Sequence, residues 1–229
     1  MVSEYTLKAR VFPTILTSLP LILLSNALLE YEVKDWLNSS DYAALFGRGS
    51  VSLAVVFLLS QVNRFIGAEV IQRVLSGDDL NFPTTRMLLP SNPLISDALR
   101  DALLAKIKTK MGYQIPTSID TEAEPKVRRL IADCVRVMRE KTRGNKLLLQ
   151  HNIEYGFARN LVGGCLVAVF VSGLNMWLYD YQLLSEIGYK ISTAYCAVSA
   201  VLLMLSPWVL ERYGVKYARL LFQAYLDSK

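Results

Sequence analysis

The sequence predicts an all-α integral membrane protein: four transmembrane helices, with a helical cytoplasmic domain inserted between helices 2 and 3. Three observations predict it. The 229 residues are 52% hydrophobic, with a mean hydropathy of +0.29. The apolar residues are gathered into four long runs, each close to the roughly 20 residues that cross a bilayer. The segment between the second and third runs is polar and basic. The division that follows is 1–76 for helices 1 and 2, 77–157 for the basic helical domain, and 158–229 for helices 3 and 4 with a cytoplasmic tail.

The first run is Val11 to Leu29. No small-residue cleavage site follows it, so it reads as a span and not as a cleaved signal peptide. The second, Ser50 to Gly67, carries Gln61, Asn63 and Arg64 near its end, where long polar side chains reach the interface or face a bundle interior. The third is Leu161 to Tyr179 and the fourth Ile191 to Leu210. Each has a small or polar face at helical spacing, such as Ser60 with Asn63 or Ser172 with Asn175. Small residues let helices approach, and polar ones find partners between them. Cys134, Cys165 and Cys196 lack metal-ligand spacing and read as small apolar packing residues.

Charge sets the orientation, because Lys and Arg concentrate on the cytoplasmic side. From Arg86 to His151 there are 13 bases against 7 acids, a surplus of six where the whole chain has +5. The segments Glu30 to Gly49 and Asp180 to Lys190 are acid-rich. Both termini and the central domain are therefore expected in the cytoplasm. Tyr31, Trp36, Trp177, Tyr179, Tyr181 and Tyr189 fall at the outer ends of the runs, as aromatic belts do.

Within the central domain, Ser96 and Gly112 bracket one helix, with Leu99, Leu103, Ile107 and Met111 on one face. A second helix starts at Glu124-Pro125, with Val127, Leu130, Ile131, Cys134, Val135 and Met138 as its apolar stripe. Opposite that stripe Arg129, Arg136 and Arg143 recur every seven residues, flanked by Arg128 and Arg139. At 100° per residue the five fall within about 100°. Such a face is either solvated and lipid-facing or a track for phosphates. Thr84, Thr85 and Arg86, in the proline-rich link after the second run, either cap a turn or offer two hydroxyls and a guanidinium to a phosphate.

"HNIEYGFARNLVGG", His151 to Gly164, holds the only histidine. No nucleophile, base and orienting group come together in this sequence, so no enzyme activity, metal or cofactor is expected. The stretch reads as a collar where a helix enters the membrane, with Gly163 and Gly164 allowing close packing. Four spans enclose little space alone, so conduction requires a symmetric oligomer. Ser52, Ser60, Asn63, Arg64, Ser172 and Asn175 are the candidate pore residues.

"PTTRMLL" after the second run and "HNIEYGFARNL" before the third resemble motifs of short bacterial four-span proteins, the membrane effectors of Hailong-type anti-phage defence. The resemblance covers about a fifth of the chain plus the span layout. It implies an ion channel of the bacterial inner membrane, expected as a homo-oligomer, a tetramer first among sizes. It also implies a cytoplasmic crown and a short single-stranded DNA, made by a partner nucleotidyltransferase, that holds the channel shut. The expected ligand residues are Thr84, Thr85, Arg86, Arg128, Arg129, Arg136, Arg139 and Arg143, assigned from charge geometry. The alternative is a non-conducting membrane anchor that recruits a cytoplasmic partner through its basic helices.

Overall fold

The structure, a computed structural model, describes residues 4–37, 41–76, 79–90, 92–118 and 122–228, with side chains described for these except at 29–48, 51–52 and 75–79. The side chains of Tyr31, Trp36 and Ser52 thus lie outside the described ones. The described residues are mostly helical and contain no strand. Four helical runs are long and apolar enough to cross a membrane: Glu4–Leu28, Leu53–Val74, Lys146–Asp180 and Glu186–Asp227.

In chain order, a short turn Glu4–Thr6 and a π-helical turn Leu7–Val11 lead into α1 (Phe12–Leu37). Helix α2 (Asp41–Phe65) runs on through a second π turn, Ile66–Ile71, and Gln72–Ser76. A 3-10 turn, Asp79–Asn81, precedes the single turn α3 (Pro83–Arg86). Then come α4 (Asp97–Met111), α5 (Glu124–Lys141), α6 (Lys146–Asp180) and α7 (Glu186–Asp227). The chain divides into two compact units: residues 1–72 with 156–207, and residues 73–155 with 208–229. α6 begins in the second unit and α7 ends in it.

The first unit packs polar seams inward and large apolar side chains outward. On α2, Leu53 and Phe57 are more than 70% exposed, as is Phe170 on α6. Large apolar side chains turned outward in this way mark a lipid or protein partner. Pro207 interrupts the hydrogen bonding of α7 and frees the carbonyl of Leu203. The Ser206 hydroxyl takes that carbonyl at 2.8 Å, so α7 continues through the proline.

The second unit has an ordinary apolar core. Met87 and Leu88 after α3, Leu103 and Ile107 of α4, Ile131, Cys134, Val135 and Met138 of α5, and Leu221 and Phe222 of α7 are buried together. The termini of α4 follow the expected signals. The Ser96 side chain accepts from the Leu99 N–H, and Gly112 closes the helix in the left-handed region at φ 73°, which glycine enters without Cβ strain. α5 carries Pro125 in its first turn and ends at the Thr142 cap, whose hydroxyl bonds the Met138 carbonyl at 2.8 Å. The last turn of α7 is held by Lys106, whose ammonium donates to the carbonyls of Tyr225 (2.8 Å) and Leu226 (3.0 Å) and to that of Ser228, cations at a helix C-terminus being favoured by charge as well.

Candidate functional site: an arginine face and the polar seams between spans

Two sets of residues carry the chemistry, one in each compact unit.

In the second unit, α5 buries one side and shows the other. The buried stripe is Val127, Ile131, Cys134, Val135 and Met138. Burial away from water pushes the Cys134 thiol up to about 11, since the thiolate is disfavoured there. On the outer side Arg129, Arg136 and Arg143 are exposed. Arg136 reaches Asp133 only at 3.8 Å, with its side chain 82% exposed. Arg129 and Arg143 make no side-chain ion pair or hydrogen bond among the described residues. Arg143 stands in the turn beyond α5 (Glu124–Lys141), next to Gly144 at φ 96°. The seven-residue helical period therefore ends at Arg136, and Arg143 is exposed in the turn just beyond the helix.

The other expected ligand residues are engaged elsewhere. Arg128 pairs with Glu124 at 2.6 Å and donates to the Leu80 carbonyl and the Asn81 side chain. It fastens the 3-10 turn to α5. Arg139 lies over the Tyr217 ring, 5.8 Å from its centre. Arg86 pairs with Glu211 of α7. Thr84 and Thr85 are 3% and 1% exposed, so their hydroxyls do not face a surface ligand. The turn-forming reading of this motif is the one the geometry fits. Pro83 packs so closely on Gly214 that a Cβ there would meet its ring at 2.8 Å. The motif joins α3 to α7, a role that needs the partner positions on α7 to be seen.

His151 is buried at 2% exposure. Its Nε2 lies 2.9 Å from the Tyr213 carbonyl, and a carbonyl only accepts, so Nε2 carries the proton. Nδ1 faces Glu154 at 3.6 Å, and the ring stacks on Tyr217 at 12°. This arrangement secures α6 to α7 within the unit. Among the described residues no three of His, Cys, Asp and Glu gather as metal ligands do.

In the first unit, the polar residues of the spans face one another. Asn63 is fully buried and donates to Thr17 at 3.1 Å. Asn175, also fully buried, donates to the Pro20 carbonyl at 2.8 Å and to Ser192 at 3.0 Å. Asn160 donates to the carbonyl of Ala9, inside the first π turn, at 2.6 Å. Ser60 bonds its own helix at the Phe57 carbonyl, and Ser172 is buried. Gly163 and Gly67 allow α6 to lie directly on the continuation of α2. A Cβ on Gly163 would fall on the Asn63 carbonyl oxygen and 2.8 Å from the Gly67 nitrogen, and one on Gly67 would lie 2.6 Å from the Arg159 carbonyl oxygen.

Ser60, Asn63, Ser172 and Asn175, expected as pore residues, are all buried within the bundle of this one chain. An axis shared by several copies is lined by side chains on the outside of each copy, and these four point into the bundle of one chain. Arg64 alone among the described candidates is exposed, with Gln61 one turn before it on α2. Gly67 belongs to the small face of the second run, whereas the seam roles of Thr17 and Asn160 show only through their partners on other helices. Comparison with protein-family models, with curated proteins and with solved structures found no match.

Proposed function

We propose that the chain is a membrane effector that forms a homo-oligomeric channel, gated by a polyanion on the arginine face of its second unit. One observation carries the reading: Arg129, Arg136 and Arg143 stand exposed with no strong acidic partner, on and just beyond a helix whose other side is fixed in a core. Fixed guanidinium groups suit phosphate oxygens, which they bind by charge and in pairs of hydrogen bonds. In the orientation that the charge distribution favours, both termini and this unit lie in the cytoplasm of a bacterial inner membrane. The two sequence motifs support a Hailong-type defence role, with a short single-stranded DNA from a partner nucleotidyltransferase as the polyanion and the closed state as the one it stabilises.

With the polar seams occupied by packing within one chain, the outward pair Gln61 and Arg64 is the part of α2 left to line an axis between copies. The same burial of the seams favours a second reading, a non-conducting anchor that recruits a partner through the cationic unit. Ion flux in liposomes reconstituted with the full chain separates the two. The channel reading expects flux that a short oligodeoxynucleotide suppresses, and suppression that is lost in the Arg129→Gln/Arg136→Gln/Arg143→Gln protein. Absence of flux with and without oligonucleotide, from protein shown to be inserted, leaves the anchor.

A further inference from the structure

The start of the cationic part of α7 is a second charged surface, separate from α5. Trp208, Arg212 and Lys216 follow one another at i, i+4 and i+8, which places them within about 80° around the helix. All three are exposed, Trp208 at 61%. The Arg212 guanidinium sits 4.7 Å from the centre of the Trp208 ring, a cation–π distance that leaves its N–H edges free. The neighbouring acid, Glu211, is already paired with Arg86, and the next acid along α7 is Asp227. Lys216 has no ion pair or hydrogen bond among the described residues.

Depth along the helix identifies the ligand. The apolar run ends at Leu210. With about 1.5 Å of rise per residue, Arg212 lies about 3 Å and Lys216 about 9 Å beyond it. The headgroup layer occupies the first several ångströms outside the hydrocarbon, about 5–8 Å on each side, so Arg212 stands within it and the flexible stem of Lys216 reaches back into it. Trp208 is an exposed amphipathic ring at the boundary itself, where tryptophan is favoured. Arg219 shares the face but stands about 14 Å past Leu210, beyond that layer, and its guanidinium donates to the Leu94 carbonyl at 3.3 Å.

We infer that Trp208, Arg212 and Lys216 form a binding site for the headgroup of an anionic phospholipid, with the ring at the acyl boundary and the two cations on the phosphate. The inference rests on α7 being a membrane span and is independent of conduction or of any ligand on α5. A cation near an anionic surface contributes about five-fold in affinity, so two give about 25-fold.

The test uses the full chain in liposomes, with Trp36→Phe and Trp177→Phe leaving Trp208 as the emitter. Brominated phosphatidylglycerol should quench its emission as if enriched by roughly 5- to 25-fold over brominated phosphatidylcholine at equal mole fraction. Arg212→Gln/Lys216→Gln should abolish the preference, the conservative Arg212→Lys should keep it, and Arg219→Gln should leave it unchanged. If the single-tryptophan chain does not fold, native mass spectrometry of the unsubstituted chain and its glutamine variants counts retained phosphatidylglycerol with the same expectations. Equal quenching by the two lipids overturns the site. So does an equal loss in Arg219→Gln, or displacement by millimolar inorganic phosphate, either of which marks a surface for soluble polyanions. Loss of oligonucleotide response with the lipid preference intact counts against the proposed gating alone.

Discussion

Gly163→Ala tests the seam between α6 and the continuation of α2. The added Cβ meets backbone on the opposite helix: the Asn63 carbonyl oxygen, the Gly67 nitrogen at 2.8 Å and the Gly67 Cα at 3.2 Å. Ordinary contact starts at 3.4 Å, so the gap must open by at least about 0.6 Å, and backbone atoms cannot rotate away as a side chain can. Overpacking of this kind costs about 3 kcal/mol at the upper end of the usual range. Exchanging glycine for alanine inside a helix returns about 1 kcal/mol. The net loss of about 2 kcal/mol corresponds to a fall of roughly 4–8 °C for a chain of this size. The measurement is thermal unfolding in detergent, followed by size exclusion. Gly173→Ala is the matched comparison, because nothing lies within 4 Å of its added Cβ; it should melt at or slightly above the unsubstituted protein. Gly164→Ala should fall between them, since its clash is with the side chains of Thr17 and Asn63. If Gly163→Ala melts as high as Gly173→Ala, the helices are not in backbone contact and the seam described here is wrong.

Other outcomes follow from the same geometry. Asn63→Ala removes the hydrogen bond to Thr17 and leaves a gap at a fully buried position; melting should drop by the equivalent of about 1–2 kcal/mol, while on the proposed channel reading flux stays unchanged, and reduced flux at unaltered stability would place Asn63 in the pore. In the Arg129→Gln/Arg136→Gln/Arg143→Gln protein, the slope of log K against log salt for a short single strand should flatten by about two units, at roughly 0.7 per phosphate; a wild-type slope would make the face an ordinary solvated one. Cys134, with its thiol raised to about 11, should resist a thiol-specific reagent at pH 9, where an ordinary thiol is largely ionised, and react once the second unit is unfolded. Rapid labelling of the native protein there would place Cys134 outside the core.

Much of the architecture is legible because hydrophobic blocks and helix signals act locally. The bracketing of α4 by Ser96 and Gly112, and the apolar stripe of α5, depend on neighbours three or four residues away, and the structure has both. The role of "PTTR" is not local. Its buried threonines and its pairing with Gly214 and Glu211 depend on a helix more than 120 residues further on, which no spacing within the motif encodes. The polar faces of the spans were visible, but a buried Asn facing another helix of its own chain and one facing a lumen have the same sequence signature. Burial alone tells Asn63 from Arg64. In α5 the period of seven was legible, while the end of the helix before Arg143 was set by the Thr142 cap and Gly144.

The one imidazole of this chain has a use beyond its place between α6 and α7. His151 is buried, its proton is fixed on Nε2 by the Tyr213 carbonyl, and Tyr217 covers its ring. Isotope labelling of histidine would therefore give a single site-specific resonance, free of overlap and shifted by the tyrosine ring current, from the interior of the second unit. It reads the packing of α7 against α6 directly, in micelles or in bilayers, provided that the protein is purified through a tag without histidine.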